Sequence, residues 1–321
     1  MARHHAPGLA VAAGGVGLAM LLHRLVPGVG VLTCAVLLGA VVANVGLLPA
    51  TTRPGLALAT RRLLRVGVVL LGFSLSLVTI AQLGPAVIAL VVITLAGTLV
   101  ATLWAGRRLG LGRPRSLLIA TGFAICGASA IAAMERNADG DEDDVATAVA
   151  MVTICGTVAM VAVPLLQAPF GMTDTQLGIW AGASVHEVGQ VVAAAGPAGA
   201  AAVAVAVVVK LTRVLLLAPV VAAVGALQRR AGAGESPPVV PLFVLGFLGC
   251  VLLRTLDLVP AGALTVLTRV QTVALAAALF SLGTGVRLVP LVRRGGSALL
   301  LGALSTVVIG GVSLAGVLWV G

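Results

Sequence analysis

Eleven stretches of nearly uninterrupted apolar sequence, at 8–23, 29–48, 63–81, 84–105, 115–134, 145–168, 174–195, 199–227, 239–256, 260–285 and 297–320, leave little chain between them. Wound as a helix, about 20 apolar residues span the hydrocarbon core of a bilayer. The runs are continuous and rich in Leu, Ala and Val, without the ten-residue alternation of barrel strands. The expected fold is therefore all-α, a polytopic integral membrane protein of about eleven hydrophobic helices. Composition closes off the soluble alternative: 60% of the 321 residues are apolar, 41 are Gly and only 9% are charged, against about 25% charged in ordinary soluble domains. Too little polar surface would remain to cover such a core. No stretch is left for a soluble catalytic domain, so residues 1–321 read as a single transmembrane transporter domain. The apolar N-terminal run has no small-x-small cleavage site before the next run and reads as a retained helix.

A formal charge of +10 would suggest nucleic acid in a soluble chain, but 19 of the 20 basic residues are Arg clustered between apolar runs. Such clusters set membrane topology, and no nucleic-acid partner is expected. With a cytoplasmic N-terminus, fourteen basic residues fall inside: Arg3, Arg53, Arg61, Arg62, Arg65, Arg107, Arg108, Arg113, Arg115, Arg229, Arg230, Arg287, Arg293 and Arg294. Arg24, Arg136 and Arg254 fall outside, and Lys210, Arg213 and Arg269 lie in or at the edge of apolar runs. The bias orients the N-terminus toward the cytoplasm. The alternative has nine spans, with runs 115–134 and 174–195 folded as re-entrant hairpins; the later basic loops keep their side, and the acidic loop at 139–144 moves inside. That loop reads as solvated. Its acids lack calcium-loop spacing.

Those two runs are the least helix-like. Each carries Gly-Ala-Ser, at Gly127-Ala128-Ser129 and at Gly182-Ala183-Ser184, and Gly inside a helix costs about 1 kcal/mol relative to Ala. Paired interrupted helices from inverted repeats build the substrate site of many secondary transporters. Close packing of small residues is the competing explanation, and such faces would also suit a homodimer.

Polar groups at membrane depth are costly and mark candidate sites. His186 and Gln190 are four apart, Glu187 and Gln190 three apart, so all three adjoin on one helical turn. Glu187 is the only acidic residue deep in an apolar run. With His186 it forms the titratable pair from which coupling to protons is expected. Lys210, the only Lys, and Arg213 are three apart and project to one side of the next run. Two cations against one carboxylate leave room for an anionic substrate. Ser129 and Ser184, beside Gly127 and Gly182, can donate to oxyanion oxygens at broken helix ends. Asn44 and Cys126 complete the candidate substrate-binding set. The four Cys, at 34, 126, 155 and 250, match neither a disulfide framework nor a metal site. His186 lacks the second His of a zincin, and no phosphate loop or dinucleotide fingerprint occurs. No enzymatic activity, cofactor or metal is expected.

The segment Cys126-Gly127-Ala128-Ser129-Ala130-Ile131-Ala132-Ala133, the segment from Trp180 through His186-Glu187-Val188-Gly189-Gln190 to Ala194, and Lys210-Leu211-Thr212-Arg213-Val214 resemble the YeiH-like sulfate exporter family of bacterial inner-membrane proteins. Residues 39–44, 64–74 and 243–247 support the resemblance, which covers nearly the whole chain. Met134-Glu135-Arg136-Asn137 departs from it, where the family usually continues with an apolar stretch. The resemblance implies a multi-pass transporter of the bacterial plasma membrane.

Together these readings describe a secondary transporter that exports a small oxyanion, sulfate or a sulfonate, by alternating access around the two interrupted helices. The partners are that anion and the lipid bilayer. The alternatives are an anion channel, which would need an open polar path, and a membrane receptor or scaffold.

Overall fold

The computed structural model describes residues 2–26, 30–230, 242–285 and 296–320. Among them the chain forms helices and no strands: α1 (Ala2–Leu25), α2 (Val31–Asn44), α3 (Arg53–Leu58), α4 (Leu64–Leu71), α5 (Leu77–Ala81), α6 (Pro85–Arg108), α7 (Arg113–Ala124), α8 (Ala128–Ala138), α9 (Glu142–Leu165), α10 (Asp174–Ser184), α11 (Val188–Ala195), α12 (Ala200–Leu215), α13 (Leu217–Arg230), α14 (Leu242–Thr255), α15 (Ala261–Gly283) and α16 (Gly296–Val320). Every expected apolar run contains helix. Six segments among the described residues are long and apolar enough to cross a membrane, α12 and α13 acting as one over Ala200–Leu227. Their outer faces carry exposed Ile93, Val100, Val158 and Val307, the surface expected against lipid. At the end of α6, Arg108 stacks on exposed Trp104, 5.2 Å from the ring centroid, an anchor suited to the bilayer interface. The protein is an all-α polytopic membrane protein. Arg287, Arg293 and Arg294 lie outside the described residues.

The helices group into two compact units, one of α1–α4 with α14 and α15, the other of α5–α13 with α16. In the first, α1, α2 and α15 pack around Ala12, Val16, Ala35, Ala276 and Phe280. Small residues set the spacing: a Cβ on Gly39 would collide with the Phe280 carbonyl, and one on Gly283 with the Val36 carbonyl. The helices therefore touch backbone to backbone.

In the second unit, runs 115–134 and 174–195 are each split in two. With 12 and 11 residues, α7 and α8 are about 18 and 17 Å long, roughly half of the 30 Å hydrocarbon core. They fold back on each other. Arg115 at the start of α7 pairs with Asp143 at 2.9 Å and Asp144 at 2.6 Å at the start of α9, and a Cβ on Gly140 would lie 3.0 Å from Leu118 Cδ1. The chain leaves α8 on the side where it entered α7. Likewise α10 packs Gly178 against Ala202 and Gly182 against Ala206 of α12, so α10 and α12 run side by side in one direction. To start α12 level with α10, α11 must return the chain. Both segments are re-entrant hairpins, and the 24-residue α9 between them puts their entries on opposite sides. Among the described residues, runs 115–134 and 174–195 thus fold as hairpins and not as single full-length helices, and residues 139–144 lie on the Arg115 side. Asp139 ends α8 at φ 55, and Asp141 caps α9 by accepting from the Asp144 amide at 2.8 Å. The acidic cluster is thus partly a helix start.

Candidate functional site

The two hairpin tips meet inside the second unit. In the first tip, Ile125 (φ −116, ψ −89) and Gly127 (φ 77, ψ −136) break the helix around Cys126. Gly127 adopts a backbone conformation that side chains resist. In the second, Val185 (φ −69, ψ 144) and Glu187 (φ −111, ψ 150) are extended around His186. Here the break differs from the sequence expectation. Gly182 stays inside α10, where a Cβ would collide with the Ala206 carbonyl; it permits close packing on α12, and the unwinding comes three residues later.

Breaking a helix strips its last carbonyls of partners, and in an apolar interior each must find another. Lys210 and Arg213 of α12 supply them. The Lys210 ammonium donates to the Val185 carbonyl at 2.7 Å and the Ile125 carbonyl at 2.9 Å. From Arg213, Nη1 donates to the Ala183 carbonyl at 2.7 Å, Nη2 to Phe123 at 2.8 Å and Nε to Ala124 at 3.0 Å. Each cation thus bridges both tips. Both are fully buried at 0% exposure, and they face helix C-termini, where the dipole favours positive charge. Glu187, the counter-charge anticipated from sequence, makes no direct ion pair with either cation but still acts on Lys210 through space. An ammonium has three donors and a guanidinium five, so both cations retain donors beyond these bonds.

The N-termini of α8 and α11 open from the same tips. Glu187, 5% exposed, lies over Gly127, where a Cβ would fall 2.6 Å from Glu187 Cγ and 3.1 Å from Oε1. The Glu187 amide donates to Gln190 Oε1 at 3.2 Å, half of a capping box. The other half is weaker: the carboxylate faces the Gln190 amide and adjoins the Ala128 amide, at geometries short of a full hydrogen bond. Gln190 lies against Gly156 of α9 and donates to the Thr153 carbonyl at 3.4 Å. His186 packs on the Phe123 ring with centroids 4.5 Å apart, and its Nε2 lies 3.2 Å from Thr306 Oγ1. Because the Thr306 hydroxyl donates to the Gly302 carbonyl at 2.9 Å, His186 Nε2–H is the donor and Nδ1 is an acceptor. That Nδ1 is buried without a partner, as is Thr153 Oγ1.

Of the remaining candidates, Ser184 donates to the Trp180 carbonyl at 2.6 Å within α10, and Ser129 pairs with Cys126 Sγ at 2.8 Å. Asn44 is exposed at the end of α2 in the other unit and donates to Ala40 at 2.7 Å. Thus Cys126, Gly127, Ser129, Ser184, His186, Glu187, Gln190, Lys210 and Arg213 gather around the two tips, Gly182 serves the α10–α12 contact, and Asn44 belongs elsewhere. Sequence reasoning missed Phe123, Thr153 and Thr306. A Phe or Thr in an apolar helix carries no signal of its own.

Residues 7–302 match the family model described as conserved hypothetical protein 698. Among curated relatives, a UPF0324 membrane protein of Corynebacterium glutamicum is 42% identical over 98% of this chain and 92% of its own length. A UPF0324 membrane protein of Agrobacterium fabrum is 35% identical over 88% and 82%. The UPF0324 membrane protein TauZ of Paracoccus pantotrophus is 40% identical over 72% and 71%. No solved structure matches.

Proposed function

This chain belongs to the UPF0324 membrane protein family, and we propose that it is a secondary transporter that exports a small oxyanion, sulfate or a sulfonate, across the bacterial plasma membrane. The observation that carries this reading is the cluster of buried polar atoms at the hairpin tips that lack a full hydrogen bond: both Glu187 oxygens, which only adjoin the Gln190 and Ala128 amides, His186 Nδ1 and Thr153 Oγ1. Native interiors keep few such atoms, and each calls for a reason. A polar ligand that arrives and leaves supplies one.

The chemistry of the tips suits an anion. Half-helix N-termini at α8 and α11 present backbone amides and positive dipole ends, the arrangement by which broken helices bind anionic groups in transporters. Lys210 and Arg213 against Glu187 leave one positive charge in excess. The hairpins enter from opposite sides, so rocking of their surroundings would open the tips to each side in turn, with His186 and Glu187 coupling flux to protons. A channel is the second reading, but charged groups at 0% exposure favour an occluded site over an open path. With the α7–α8 hairpin re-entrant, Arg136 joins the inside group, which strengthens a cytoplasmic N-terminus. No catalytic activity is assigned.

A thermal-shift panel of sulfate, sulfite, thiosulfate, taurine and dicarboxylates on the purified protein tests this reading. Stabilisation by one class of oxyanion is expected, and indifference to all of them would turn the assignment toward a scaffold.

A further inference from the structure

We infer that the Glu187 carboxylate is a tethered occupant of the anion's own position at the start of α8, and that sulfate binds there only as Glu187 takes up a proton and yields the place. The inference rests on the transporter reading above. At the start of α8 the Ala130 and Ile131 amides bond to the Gly127 carbonyl, so the Ala128 and Ser129 amides are the donors that face the tip. A helix N-terminus of this kind draws a negative group. Glu187 is the negative group that has come: its side chain covers the Gly127 Cα face and adjoins the Ala128 amide.

Its seating is not that of a permanent cap. Neither carboxylate oxygen completes a hydrogen bond, whereas the structural cap Asp141 holds the Asp144 amide at 2.8 Å. Glu187 is near the amides without being locked to them, and a Cβ at position 127 would leave no room for it. Gly127 thus makes room for an anionic group at the start of α8.

Charge makes the exchange proton-linked. The titratable and charged groups around Glu187 are His186 beside it, Cys126 in the facing tip, and Lys210 and Arg213 on α12; α9 and α16 add Cys155, Thr153 and Thr306, none of them a formal charge. With Glu187 ionised, a dianion would leave the tips one negative charge in excess; with Glu187 protonated, the two cations balance it. A proton from solvent enters the carboxylate as the dianion replaces it, and leaves when the dianion goes.

The test is sulfate binding to the purified full chain by calorimetry, wild type beside Glu187→Gln and Glu187→Ala, from about pH 5 to about pH 8. Wild-type affinity is expected to fall about tenfold per pH unit once Glu187 ionises. Glu187→Gln should be flat across the range, and Glu187→Ala should bind at least as tightly as the wild type at the acid end. A pH slope that survives in Glu187→Gln, or loss of sulfate binding in the variants while the wild type binds, overturns the inference and leaves the transporter reading standing. Sulfate binding to none of the three overturns the inference as well, and the transporter reading then stands or falls on the sulfonates of the panel.

Discussion

Glu187 and Gly127 touch across two helix breaks: the Glu187 side chain lies over the Gly127 Cα, and a Cβ there would fall 2.6 Å from Cγ. Gly127 also has φ 77, so Gly127→Ala brings both a collision and a strained backbone, the latter alone worth about 1–3 kcal/mol. The variant is expected to melt well below the wild type in detergent and to bind oxyanions poorly. Gly97→Ala on α6, where a Cβ meets nothing within 4 Å, should melt at or slightly above the wild-type temperature, since Ala favours helix over Gly by about 1 kcal/mol. Equal melting of the two variants would contradict the tip contact.

Lys210 and Arg213 hold the tips together through backbone carbonyls, and this changes what their removal should do. An anion ligand could be deleted with loss of flux alone, but here each deletion leaves buried carbonyls unpaired at about 1–3 kcal/mol apiece. Arg213→Ala, which strands three carbonyls, is expected to lower thermal stability more than Lys210→Ala, which strands two. Melting curves followed by Trp180 fluorescence would rank them. The reverse order, or no loss in either, would speak against the clamp.

The hairpins make a sidedness prediction. A Cys introduced at Asp141 should react with an impermeant thiol reagent from the same side as one at Arg113, and one at Thr173 from the opposite side. The native Cys are all buried and should contribute little background. Labelling of positions 113 and 141 from opposite faces would restore a full crossing by residues 113–138.

At the hairpin's entrance the energies are small. Asp141→Ala removes the α9 cap and should cost about 1 kcal/mol. Arg115→Ala breaks two partly exposed ion pairs, each worth about 0.2–1 kcal/mol, with the loss shrinking as salt rises. Denaturation of the two variants at low and high salt separates them, because the Asp141 cap keeps its direct hydrogen bond to the Asp144 amide while the exposed ion pairs are screened more fully.

The helices were legible because each apolar run is long and continuous. The broken pair was legible at Gly127, where the backbone needs a residue without Cβ, and misplaced at Gly182, because a Gly that permits helix contact looks in sequence like a Gly that ends a helix. Hairpin against crossing could not be read from charge, since moving one acidic loop and Arg136 leaves the Arg bias intact. The partners of Lys210 and Arg213 were hidden for a different reason: side-chain charges can be counted in a sequence, but the carbonyls of Phe123, Ala124, Ile125, Ala183 and Val185 become acceptors only once the helices break. Asn44 stood out as a lone amide in an apolar run, yet it bonds to its own helix at Ala40. Thr306 and Thr153 gained their roles only through the folding of α16 and α9 around the tips.

Flux from proteoliposomes preloaded with labelled sulfate or taurine, with and without an imposed pH gradient, tests transport around the hairpin tips most directly. Protein-dependent flux that responds to the gradient in the wild type and loses that response in Glu187→Gln is the predicted result. No flux of any oxyanion, or flux whose gradient response is the same in Glu187→Gln, would contradict it.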